Sequence, residues 1–480
     1  MYPAIVILSA IAFTALCLLL FRKRSDKAFD VFLKILTLAF CGVGFFRLML
    51  SDAFIFVANG IWTENGQAHN AWLQLVLRWG YYLCYAVFPM AVFFKSRLFK
   101  NMASYVCLPF AILSTIFLED YMIYFLSSMG SGLHLTVGFR YAYFMVELAI
   151  AISIPLLFQI RERYYFNVKD KWEWIRFLAM LPIIILTMMP VYAPKAIFGN
   201  VIPQIPLYGS EHIIWLASMF LLIMLLYYVF RFRSYKDRYM LCVFLTIVLF
   251  FHYDSLYLKG FTLKRLPVQL CNIAAYFYLV AIPLRLKKMF HFCFIANMVG
   301  AIIAILLPDF QGGFLDFWSV HYILEHTLVL VIPALGMGLR VFPRIEPKSI
   351  LYLLVGYSAY FLFVFTLGTI LNGHIESSLD KVNYFYLFDK AFIFDKAKTI
   401  GLGIIQVLGN VVWRFGTYEI FPLFIMFIYV GFFLLCLLFY ALTRFLYKIE
   451  DDHLNLRLSG IELYEELTGK PSKRPKSFLE

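Results

Sequence analysis

Apolar residues fall along this chain in long unbroken runs, with the polar residues gathered between them. The runs lie near 3–21, 29–50, 72–94, 102–120, 139–160, 174–193, 211–231, 239–257, 266–284, 289–307, 318–339, 349–371 and 418–446. Each is close to the ~20 residues that a helix needs to cross a hydrocarbon core about 30 Å thick. The short alternating segments of a barrel are absent. Within lipid a backbone must satisfy its own hydrogen bonds, so runs of this kind are helices. The pattern predicts an all-α fold, a polytopic helical membrane protein of about 13 transmembrane helices.

Composition agrees. Of 480 residues, 62% are hydrophobic and only 15% charged, with a mean hydropathy of +0.80; a soluble domain carries about 25% charged residues. The net charge of +13 does not point to nucleic acid, because the basic residues sit in short loops between apolar runs, as the positive-inside rule requires. Arg22, Lys23, Arg24, Lys95, Arg97, Arg161, Arg163, Arg233, Lys236, Arg285, Lys287, Arg340 and Arg344 all fall in alternate loops. That bias places the N-terminus outside and the C-terminus in the cytoplasm of a multi-pass plasma-membrane protein. The first run lacks a small-residue cleavage site and reads as a retained span rather than a signal peptide.

Landmarks recur in the two halves. Cys84 and Pro89 before a basic loop parallel Cys271 and Pro283, Glu147 and Pro155 parallel His326 and Pro333, and Glu211 opens its run as Glu419 opens the last. A parallel tandem repeat of two six-helix units follows. The expected domains are 1–28, an extra N-terminal helix; 29–234, a first repeat without chemistry of its own; 235–446, a second repeat with the site; and 447–480, a cytoplasmic basic tail. The 372–417 loop carries an apolar stretch, 400–412, that reads as a re-entrant or interfacial segment on the outer face.

Polar groups inside a bilayer are costly and ask for a reason. The eight cysteines show no CxxC spacing, so neither a metal site nor a disulfide framework is suggested, and no cofactor is implied. In the second half, Leu266-Pro-Val-Gln-Leu-Cys271-Asn272 opens one run, Pro308-Asp309 closes the next, and His321-Tyr-Ile-Leu-Glu-His326 opens the one after. At 1.5 Å per residue, Cys271 lies about 8 Å and His326 about 12 Å from the starts of their runs. Both then belong to the outer half of the membrane. A thiol and an imidazole that can meet form the minimal nucleophile–base pair for acyl transfer. The same residues also have plain structural readings, a buried cysteine as a small hydrophobe and a histidine as an interhelical hydrogen-bonding group.

The stretch 265–333, with Leu-Pro-Val-Gln-Leu-Cys, Leu306-Leu-Pro-Asp309 and the helix bearing His326, resembles the YwaF-type (transmembrane protein 164) family of integral membrane proteins, as does Asn383-Tyr384-Phe385-Tyr386-Leu387 further on. The resemblance covers about residues 235–446 and implies lipid chemistry, since the family includes a phospholipid acyltransferase working through a cysteine thioester. It implies Cys271 as nucleophile and His326 as general base. Asp309, Asn272, His321, Asn383 and Tyr384 are then supporting residues of the substrate site. This chain departs from the family pattern at Gln269, where a His is common, and lacks a recognisable Gly-Pro-Trp-Pro-Trp-Tyr element near the last span. In the first half, Glu147 stands where a His would be needed.

Three readings of function follow. The first is an intramembrane acyltransferase that takes an acyl chain from a membrane lipid and passes it to a hydroxyl of a lipid or envelope glycan at the outer face. The second is a lipid or lipid-linked-precursor transporter or flippase, resting on intramembrane Arg47, Arg78, Glu147 and His326. The third is a non-catalytic scaffold for cell-envelope assembly. Cysteine dependence separates the first from the others.

Overall fold

The structure is a computed structural model that describes residues 2–49, 71–118, 137–161, 171–188, 205–253, 263–308, 310, 312–313, 317–375, 381–399, 401–415 and 418–468. It is all-α and polytopic. In chain order the helices are α1 (Tyr2–Leu20), α2 (Asp26–Met49), α3 (Ala71–Phe93), α4 (Arg97–Ile116), α5 (Val137–Arg161), α6 (Lys171–Met188) and α7 (Ser210–Phe230). They continue with α8 (Tyr235–Tyr253), α9 (Leu270–Ala281), α10 (Lys287–Leu306), α11 (Phe317–Gly338), α12 (Ser349–His374), α13 (Ala391–Thr399) and α14 (Pro422–Thr468). A helix lies in each of the apolar runs read from the sequence. Among the described residues, eight helices are long and apolar enough to cross a membrane, and Leu270–Ala281 is a shorter apolar one.

Where the helices deviate, proline explains the deviation. Pro109 lacks an N–H for the ladder, and the turn just before it, Ala103–Cys107, widens into a π-helix within α4. The last helix starts at Pro422, a residue suited to a first helical position. The run that sequence reading began at 418 therefore opens with a strand instead, β2 (Tyr418–Ile420), paired antiparallel with β1 (Trp413–Phe415). At its other end α14 continues to Thr468, so the tail taken from 447 is helical over its first part.

The chain divides into two compact units. The first holds Met1–Gln204, Ile247–Phe261 and Gln311–His321; the second holds Ile205–Thr246, Thr262–Phe310 and Tyr322–Glu480.

In the first unit, α5 is the central element. Ser153 donates to Ala10 O at 3.2 Å, tying α5 to α1, and Arg161 donates to Phe21 O at 2.7 Å while its guanidinium lies over the Phe29 ring. Glu147, fully buried, accepts hydrogen bonds from Tyr81 at 3.1 Å and from Tyr85 of α3. Two hydroxyl donors satisfy a carboxyl that lipid alone would penalise. Phe40 stacks on Tyr85 with ring centroids 4.8 Å apart, which completes the α2–α3 contact.

In the second unit, buried hydroxyls and cations donate to carbonyls that a helix end or, at Val329, the proline four residues on leaves free. Tyr278 of α9 donates to Val329 O of α11 at 2.9 Å, Arg238 of α8 to Leu339 O at 2.7 Å, and Tyr239 to Pro283 O at 2.9 Å. At the end of α11 a charged collar closes around α14. Arg344 meets Glu450 at 2.7 Å and Asp451 at 3.4 Å, and Arg340 meets Asp451. The apolar stretch 400–412 forms a 3-10 turn, Gly403–Gly409, entered through Gly401 at φ +80°. Ile405, Leu408 and Val412 pack against Phe394, Phe421 and Phe424, so the stretch folds onto α13 and the start of α14.

Candidate functional site

Cys271 occupies the second position of α9, whose flanking residue Gln269 is extended at φ −60°, ψ 148°. The ladder of α9 opens with Ile273 N–H donating to Gln269 O at 2.9 Å. The N–H groups of residues 270–272 therefore have no partner within the helix. The Cys271 thiol donates to Asn272 Oδ1 at 3.0 Å. N–H donors at a helix start stabilise negative charge on sulfur as it develops. The Glu325 carboxyl of α11 lies within electrostatic range of this thiol, and the Tyr360 hydroxyl of α12 also lies within range.

The side chain that would ordinarily cap α9 is engaged elsewhere. Gln269 makes no cap hydrogen bond; its Nε2 donates to Asn383 O at 3.0 Å and its Oε1 accepts from Phe385 N–H at 2.7 Å. One amide thus clasps a strap, residues 381–389, across the start of the helix. A second amide does the same from α12, where Asn372 donates to Val382 O at 2.9 Å and accepts from Val382 N–H at 2.7 Å. Tyr384 donates to Leu263 O, and burial pushes its hydroxyl up to about 12, so it remains a donor at any ordinary pH. Tyr360 donates to Val268 O at 2.9 Å.

Within the strap, Asn383 Oδ1 accepts from Phe388 and Asp389 N–H at 3.0 and 2.9 Å, and its Nδ2 donates to Asp389 O at 3.2 Å. Phe385 and Tyr386 both adopt positive φ, 52° and 57°. This is an uncommon conformation for bulky residues, and the clasp and ring contacts hold it. The Phe385 ring enters an aromatic cluster of α12 and α14, with Tyr360 and Phe432 centroids at 5.5 and 5.3 Å.

His326, 4% exposed, holds its Nδ1 2.8 Å from Tyr322 O and lies on the Tyr322 ring at 4.0 Å. Tyr322 in turn donates to Ala304 O at 2.8 Å. Among the described residues no hydrogen bond joins the His326 ring to Cys271. The structure therefore brings Cys271 and Asn272 together and joins Asn383 and Tyr384 to the approach of α9 through the backbone. His326 stays on α11, one residue past Glu325. His321 belongs to the first unit, where His252 stacks on it with centroids 5.1 Å apart and reaches His321 O at 3.5 Å. Asp309 lies outside the described residues, as do the side chains of Arg47 and Arg78.

The thiol at the helix start, the α11 histidine and the Asn-Tyr strap occur in one unit and in one chain order. Residues 207–437 match the TMEM164 family. The match begins just after Ile205, where the second unit opens, and so includes α7 as well as the stretch 235–446 expected from the resemblance. No curated protein and no solved structure matches the chain.

Within this TMEM164-family region, sequence reading passed over Gln269 as a working residue, read Glu325 as a structural partner of His321 at i, i+4, and did not single out Asn297 or Asn372. Asn297 was visible as an amide inside an apolar run, the usual signal of an intramembrane polar role; Asn372 falls just past the end of its run. Gln269 was visible only as a departure from the family pattern.

Proposed function

We propose that the TMEM164-family region is a cysteine-dependent acyltransferase acting on membrane lipid, with Cys271 as nucleophile. The observation that carries this is Cys271 itself, set in the first turn of α9, where the backbone N–H groups have no partner within the helix. A purely packing cysteine needs no such placement. His326 supports the reading as base. Because a carbonyl only accepts, the Nδ1 contact with Tyr322 O puts the ring proton on Nδ1 and leaves the Nε2 lone pair to take a proton.

In the first half-reaction the sulfur attacks the ester carbonyl of a lipid. An S–C bond forms, the thiol proton passes to His326 Nε2, and the carbonyl oxygen turns toward the N–H groups of Cys271 and Asn272. The C–O bond then breaks and the leaving alkoxide takes the proton from His326. In the second half an acceptor hydroxyl on a lipid or envelope glycan attacks the thioester, C–S breaks, and the proton returns to sulfur by the same imidazole. Dividing one displacement into two is the advantage of a covalent intermediate. Resting catalytic contacts are often long and tighten with substrate, which accommodates the separation of thiol and imidazole.

The alternating basic loops support a plasma-membrane orientation with the N-terminus outside and the C-terminus cytoplasmic. Intact-mass measurement of the purified protein, with and without hydroxylamine, tests the activity. A hydroxylamine-labile acyl adduct that disappears in Cys271→Ala is the expected result; an adduct that persists in that variant, or none on the unaltered protein supplied with phospholipid, rejects it.

A further inference from the structure

We infer that Gln269 is a positioning residue for Cys271, and that it works by not capping the helix it precedes. This rests on the acyltransferase reading above. A residue flanking a helix start normally offers its side chain to the N–H groups two and three positions later. For α9 those positions are Cys271 and Asn272, whose N–H groups precede the first bond of the helix ladder and take no side-chain cap. Gln269 has the polar atoms to compete for them, yet both ends of its amide are committed to the strap, at Asn383 O and Phe385 N–H. The strap therefore keeps the two donors open for the thiolate and for the carbonyl oxygen of a bound ester.

An independent feature of the same turn points to a ligand. Asn297 of α10 is fully buried, its Nδ2 donates to Leu270 O at 2.6 Å, and its Oδ1 has no hydrogen-bond partner. A buried amide oxygen anchored one residue from the nucleophile, with no donor of its own, suits an incoming O–H group. The first turn of α9 thus offers donors for an ester carbonyl and, beside them, an acceptor for a hydroxyl. Those are the two partners of acyl transfer to an alcohol.

Serine and alanine at position 269 separate this idea from simple loss of the strap. Both release the strap, and only serine caps. In the full-length protein, alkylation of Cys271 by iodoacetamide is followed across pH by peptide-resolved mass spectrometry, alongside thermal unfolding. Gln269→Ser should unfold at a temperature equal to or above that of Gln269→Ala, yet alkylate about 10-fold more slowly, because its hydroxyl takes an N–H that would otherwise stabilise the thiolate. Acylation by phospholipid should fall about 100-fold, as for loss of one oxyanion donor. Identical alkylation profiles for serine and alanine overturn the inference. Should that pair fail to accumulate, Gln269→Asn, a strong cap, against Gln269→Met, which cannot cap, makes the same comparison. Because alkylation needs no lipid, a protein that never acylates would sink the acyltransferase reading while this test still returns its own answer.

Discussion

His326 Nδ1 lies 2.8 Å from the carbonyl oxygen of Tyr322, one turn earlier on the same helix. A backbone carbonyl cannot donate, so the ring is a fixed tautomer with its lone pair on Nε2. The same bond orients the imidazole over Tyr322, whose own hydroxyl is anchored on α10. A base delivered in one tautomer and one orientation loses little entropy in use.

In the proposed mechanism His326 is the base, so removing it should slow thioester formation without removing the thiol. We expect His326→Ala to lower the rate by about 10²- to 10⁴-fold, the usual worth of general base catalysis. Time-resolved intact mass after mixing with phospholipid gives the rate, and an unchanged rate would assign His326 to packing alone.

The strap depends on a close approach. A Cβ at Gly368 would stand 2.1 Å from the Phe388 ring, whereas one at Gly373, on the same helix, meets nothing within 4 Å. Gly368→Ala should therefore destabilise by about 1–3 kcal/mol through overpacking. Gly373→Ala should be neutral or stabilise by up to about 1 kcal/mol through helix propensity. Unfolding curves in mild detergent separate the two, and equal behaviour would mean that Phe388 has room to move aside.

Asn372 holds both backbone groups of Val382, and all of these are buried. Replacing it with leucine leaves an N–H and a carbonyl without partners, at a cost of about 1–3 kcal/mol for each buried group. Asn372→Leu should lower stability and raise proteolysis within 381–389. A strap that resists protease as well as the unaltered protein does would contradict its dependence on this amide.

In the first unit Glu147 receives the hydroxyls of Tyr81 and Tyr85. Glutamine keeps an acceptor oxygen there and leucine does not. Stability should thus fall in the order Glu147, Glu147→Gln, Glu147→Leu, with the last costing about 2 kcal/mol or more. If glutamine is as damaging as leucine, charge rather than hydrogen bonding is what the site requires.

Between α11 and α12, the Glu346 carboxyl is held below its ordinary range by the Lys287 ammonium 2.8 Å away, at the start of α10. A lowered carboxylate value means the stabilisation is present above the ordinary range and is lost as pH falls through the lowered one. Both partners are well exposed, so the effect is small and screened by salt. Lys287→Met should flatten this part of the acid limb of a stability–pH curve at low ionic strength, and an unaltered limb would remove the pair from the account.

Each apolar run could be read as a helix because lipid leaves the backbone no other way to satisfy itself. The placement of Cys271 was legible only in part: sequence reading began the run at 266 and set the thiol about 8 Å into it, whereas the helix begins at Leu270 and Cys271 is its second residue. The strap was not legible. Its shape rests on positive φ at Phe385 and Tyr386, residue types that give no sign of that conformation, and on two amides whose partners are backbone atoms more than a hundred residues away or across a turn. Nor was it legible that Ile405, Leu408 and Val412 pack on Phe394, Phe421 and Phe424, since apolar content alone does not name a packing partner. Side-chain patterns show which faces are greasy; they do not show which backbone groups need a partner.

One consequence concerns α14. Its 47 residues are unbroken from Pro422 to Thr468, about 70 Å at 1.5 Å per residue, more than twice what a bilayer core occupies. The Arg340–Arg344 collar grips it at Glu450 and Asp451, and near its other end Phe432 touches Phe385 of the strap. A push on the far turns would thus arrive as torque about the collar as fulcrum, with no hinge between the charged grip and the aromatic cluster to absorb it.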